Sequence, residues 1–115
     1  MGLLNFLAKK SIKSTAKVLL RSYTEIKERN PDLSEKELYT LTLSMRPSYK
    51  KQVGSSIIRF NGYDIDINKF NSIRDLINMV VRLEHAPQTM DIDLLFRFGD
   101  ISEKAIEEVF EEIKK

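Results

Sequence analysis

A chain of 115 residues with 42% hydrophobic and 31% charged residues has the size and balance of one globular domain, residues 1–115. It contains no cysteine, which excludes disulfides, thiolate catalysis and sulfur-ligated zinc and accords with a reducing, cytoplasmic setting. The formal net charge of +2 conceals a gradient, because residues 1–30 carry seven Lys or Arg against two Glu, and residues 101–115 carry three against five.

The first element is a helix from about Leu3 to Arg29, since no Pro or Gly follows Gly2 there and the apolar residues recur at helical spacing. Leu4, Leu7, Ala8, Ile12, Ala16, Leu19, Tyr23 and Ile26 share one broad face. Lys9, Lys10, Lys13, Lys17 and Arg21 share the other, with Leu3, Phe6 and Leu20 intruding on the basic side. Asn30-Pro31 ends the helix, because a residue before proline is pushed out of the α region. At 1.5 Å per residue it would be roughly 40 Å long, so in a compact domain of this size it bends or its first turns project. The apolar run Leu3 to Ala8 is too short for a signal-peptide core, and Lys9 and Lys10 follow it rather than precede it. Phe6 stands where an N-myristoylation pattern asks for Ser or Thr.

A second helix is expected from Glu35 to about Met45, capped by Ser34, with Glu37 completing a capping box and Leu38, Leu41, Thr42 and Met45 as its buried stripe. Ser48 to Ser55 is polar and reads as a surface connection. Asn61-Gly62 between two alternating runs favours the positive φ angles of a type I′ hairpin turn. A two-residue turn sets Phe60 opposite Tyr63, Arg59 opposite Asp64, Ile58 opposite Ile65 and Ile57 opposite Asp66. Ile58, Phe60, Tyr63, Ile65 and Ile67 then form the buried face, with Arg59 and Asp64 as a cross-strand pair on the other.

A third helix is expected from about Ile73 to Glu84, capped by Ser72 with Asp75 three residues on, and with Phe70, Ile73, Leu76, Ile77, Val80 and Val81 at core spacing. Asp91 to Phe98 alternates and reads as a strand, against a competing short helix capped by Thr89 and closed by Gly99. Ser102 caps a last helix in which Ala105, Val109, Phe110 and Ile113 face inward. The fold class is therefore α+β, a three-stranded antiparallel sheet (the hairpin plus one strand) against four helices, in the order α-α-β-β-α-β-α.

Candidates for chemistry are sparse. Asp64, Asp66, Asp91 and Asp93 lie two apart in pairs and could present oxygens to Mg²⁺ or Ca²⁺, but no EF-hand spacing accompanies them, and alternating Asp on a solvent-facing sheet keeps it soluble. His85 is the single histidine and suits a helix C-terminus better than general acid–base work. No P-loop, dinucleotide-binding glycine pattern or nucleophile elbow occurs, so no enzyme, cofactor, metal site or small-molecule substrate is inferred.

The long helix carries the functional expectation. Leu3, Leu4, Phe6 and Leu7 exceed what so small a body covers, which points to docking on another protein or on a second copy. Lys10, Lys13, Lys17 and Arg21 supply the cationic stripe that nucleic acid or an anionic membrane would need. The small total charge and the lack of arginine-rich or recognised binding motifs weigh against that alternative.

Overall fold

A computed structural model describes the backbone of residues 2–86 and 92–114 and the side chains of residues 8–86 and 96–113. The elements are α1 (Gly2–Arg29), α2 (Glu35–Ser44), β1 (Tyr49–Gln52), β2 (Ile57–Phe60), β3 (Tyr63–Asp66), a 3₁₀ turn (Ile67–Lys69), α3 (Ile73–His85) and α4 (Ile92–Lys114). Four helices and a three-stranded antiparallel sheet of order β1-β2-β3 make an α+β fold.

The described chain divides into two compact units. The first combines residues up to Val18 with Ile77 onward, and so contains the start of α1, the end of α3 and all of α4. Its buried side chains are Ile12, Thr15 and Ala16 on α1, Ile77, Val80 and Val81 on α3, and Ala105, Ile106 and Val109 on α4. Phe110, expected inside, is half-buried, and Ile113 is exposed one turn later near the end of the helix.

The second unit, Leu19–Leu76, holds the rest of α1, α2, the sheet and the start of α3. Its hairpin has the expected register, Phe60 opposite Tyr63, Arg59 opposite Asp64, Ile58 opposite Ile65 and Ile57 opposite Asp66. Asn61 at φ 52° and Gly62 at φ 83° make the turn, positive angles that Asn tolerates and Gly adopts freely. Ile58, Phe60, Ile65 and Ile67 are buried. Tyr63, beside the turn at the end of the sheet, is 58% exposed instead.

The third strand is not Asp91 to Phe98 but Tyr49–Gln52, which pairs with β2 through Tyr49–Phe60, Lys51–Arg59 and Gln52–Ile58, with an irregularity between Tyr49 and Lys51. Its residues beyond Tyr49 are exposed, so no apolar alternation marks it; a lysine-bearing edge strand is held by backbone pairing and resists further pairing. Residues 92–98 belong to α4, which runs on through Gly99 at a cost of about 1 kcal/mol relative to alanine. Asp91 lies outside the described residues. Phe98, Ile101, Ala105 and Val109 recur at helical intervals, and Ser102 donates to the Gly99 carbonyl at 3.1 Å from within the helix rather than capping it.

The other correction concerns the phase of two faces. Ser34 and Glu37 form the expected capping box, with Glu37 N donating to Ser34 Oγ and Ser34 N to Glu37 Oε1, both at 3.2 Å. The helix nevertheless buries Leu38, Tyr39, Thr42 and Leu43, leaving Leu41 41% and Met45 63% exposed. Tyr39 turns inward because its ring stacks on Tyr23 and meets Phe70 edge-on. Thr42 is tolerated in the interior because its hydroxyl donates to the Leu38 carbonyl at 2.7 Å. On α1, Leu20 is buried and Ala8 exposed, the reverse of the helical-wheel reading.

Candidate functional site

The basic face of α1 up to Lys17 meets carboxylates of the same unit. Lys9 pairs with Glu108 Oε2, Lys13 lies 2.9 Å from Glu112 Oε1 and 3.5 Å from Glu108 Oε1, and Lys17 lies 3.0 Å from Glu112 Oε2. Partners advance together along both chains, so α1 and α4 run in the same direction here. Each set is spaced by four residues, one helical turn of about 6 Å, which puts its members on one face. The charge gradient of the sequence is thus closed on itself in space. Glu108 and Glu112 were not singled out from the sequence; their four-residue spacing, matching that of Lys9, Lys13 and Lys17, is the signal that could have found them.

Lys9, Lys10, Lys13, Ser14 and Lys17, with Glu108, line an open groove of about 500 Å³. The Glu112 hydrogen bond chiefly holds the Lys13 ammonium above its ordinary pKa. Lys9 lowers Glu108, and Lys13 and then Lys17 lower Glu112, each by hydrogen bonding to the charged carboxylate. Of the expected basic residues, Lys13 and Lys17 are therefore engaged. Lys10 and Arg21 are exposed and make no ion pair among the described residues, and Arg21 falls in the second unit. Leu3, Leu4, Phe6 and Leu7 lie on the backbone of α1, but their side chains are outside the described residues.

The titratable candidates are occupied in other ways. Asp64 accepts from Arg59 Nε at 2.9 Å and from its Nη2 at 3.4 Å, which lowers the carboxyl pKa, and Asp66 caps the 3₁₀ turn by accepting from Asn68 N at 3.0 Å. Asp91 and the Asp93 side chain are outside the described residues, among which no group of three or more His, Cys, Asp or Glu could hold a metal. His85, the last residue of α3, has Nε2 2.8 Å from Thr15 Oγ1, a bond that ties α3 to α1 within the first unit. Among the described residues His85 makes no second hydrogen bond.

No known protein family, curated protein or solved structure matches the chain. Among the described residues, no helix is long and apolar enough to cross a membrane, and no buried side-chain nitrogen or oxygen lacks a hydrogen-bond partner.

Proposed function

We propose that this protein is a small non-catalytic interaction or assembly subunit that offers the N-terminal part of α1 to another protein or to a second copy of itself. One observation supports the reading: Ala8, on the apolar face of α1 and next in sequence to Leu7, is exposed, and it is the first residue of that face whose side chain is described. Leu3, Leu4, Phe6 and Leu7 precede that point. Large apolar side chains stabilise by about 1.5–3 kcal/mol each when buried, which suits so apolar a stretch of sequence to an intermolecular contact.

Replacing Leu4 and Leu7 by Ser is expected to lower the solution mass measured by light scattering while leaving the melting temperature of the dissociated chain nearly unchanged. A parent that is monomeric at every concentration, together with a double variant that melts far lower, would make these leucines ordinary core residues and end the proposal. The electrostatic alternative, nucleic acid or anionic membrane on the basic face, is less well supported because Lys9, Lys13 and Lys17 already hold Glu108 and Glu112.

A further inference from the structure

The lysine groove of α1 is more than a solvated face. Lys9, Lys10, Lys13 and Lys17 line it, so four ammonium groups meet two carboxylates, and Lys10 has no ion pair among the described residues. We propose that this groove docks an acidic helical segment of a partner protein, carrying carboxylates one turn apart, in competition with the chain's own Glu108 and Glu112. The proposal rests on the reading of α1 as a protein-contact element and names the chemistry of what it contacts.

The geometry of the complement is already visible. Glu108 and Glu112, one turn apart on α4, are held by lysines that recur at the same four-residue step, so the groove is matched in pitch to carboxylates borne on a helix. The internal occupants are also replaceable. The Glu108 and Glu112 side chains are 45% and 46% exposed, and ion pairs at that exposure are weakened by water and salt. A segment offering a longer series of carboxylates would add Lys10 to the contacts. Among the described residues the lining has no aromatic ring on which a base could stack and no arginine to clasp a phosphate with two parallel hydrogen bonds, which favours an acidic protein over nucleic acid.

The test uses the full chain and a fluorescein-labelled peptide of Glu-Ala-Ala-Ala repeats, which places a carboxylate on each turn, followed by anisotropy at low salt. A peptide of the same composition with its glutamates contiguous, a duplex oligonucleotide and vesicles containing anionic lipid are run beside it. Removing the internal competitors with E108Q/E112Q is expected to tighten binding of the repeat peptide by roughly tenfold. Lys10→Glu is expected to weaken peptide binding severalfold relative to the parent with no change in melting, because Lys10 makes no ion pair among the described residues. If E108Q/E112Q fails to fold, the Lys10 variant decides by itself. Equal binding by parent and Lys10→Glu overturns the proposal, as does tighter binding of the contiguous peptide, the duplex or the vesicles. Peptide binding is read at the groove alone, so its failure leaves the Leu4 and Leu7 association assay unaffected, and a chain that never self-associates can still bind the peptide.

Discussion

Tyr39 is 3% exposed, its ring centroid 6.1 Å from that of Tyr23 and 6.0 Å from that of Phe70. Tyr23 donates to both Glu35 oxygens, at 2.8 and 3.1 Å, and Lys27 lies 5.7 Å above its ring. Burial first, and Glu35 second, push the Tyr39 hydroxyl up to about 12 and the Tyr23 hydroxyl higher still. A phenol whose folded pKa is raised stabilises fully below the unfolded value near 10 and loses that contribution as pH rises towards the folded value. The melting temperature should therefore fall between about pH 10 and 12, and Tyr39→Phe should flatten that part of the profile. At the other end of the polarity range, Ser34→Ala removes the capping bond to Glu37 N and is expected to cost about 1 kcal/mol in denaturant unfolding. The cap was legible because Ser34 and Glu37 are three residues apart and their chemistry is local. The inward turn of Tyr39 was not, because a tyrosine fits a surface stripe equally well until Tyr23 and Phe70 are placed beside it.

At the scale of elements, the pairing of α1 with α4 through Lys9, Lys13, Lys17, Glu108 and Glu112 makes a pH-dependent contribution whose sign follows from the carboxylates. Their folded pKa values lie below the ordinary 4.5, so the stabilisation is complete above that value and is lost as pH falls through the lower, folded ones. Melting temperature should thus drop below about pH 4.5, and E108Q/E112Q should be less stable than the parent at neutral pH but lose less on acidification. Added sodium chloride should narrow the neutral-pH gap between the two, since both partners are partly exposed. If the variant and the parent share one acid profile, the ion pairs do not contribute to stability. The hairpin register was legible because its turn residues and both strands lie within ten consecutive positions. Edge strand β1 was not, since lysine-rich residues pair through the backbone without an apolar pattern. Residues 92–98 fit an alternating and a helical pattern alike, and continuation into the Ile101, Ala105, Val109 series is what the helix adds.

For the molecule as a whole, the interior is distributed over two units, each with its own set of buried aliphatic residues. The proposed association is tested at this scale. A chain beginning at residue 10 should show lower mass than the full chain in light scattering at equal concentration, and an unchanged mass would place any self-association elsewhere. By itself the sequence determined the extent of α1 and its stop before Pro31, the cap of α2, the hairpin register and the basic and acidic ends of the chain. Each follows from backbone and side-chain preferences acting over a few residues, or from simple composition. Only the tertiary structure decided which side of α2 turns inward, which segment completes the sheet, that residues 92–98 are helical, and that Lys9, Lys13 and Lys17 face Glu108 and Glu112. Those outcomes depend on groups brought together from distant parts of the chain, where burial and charge pairing outweigh the local pattern.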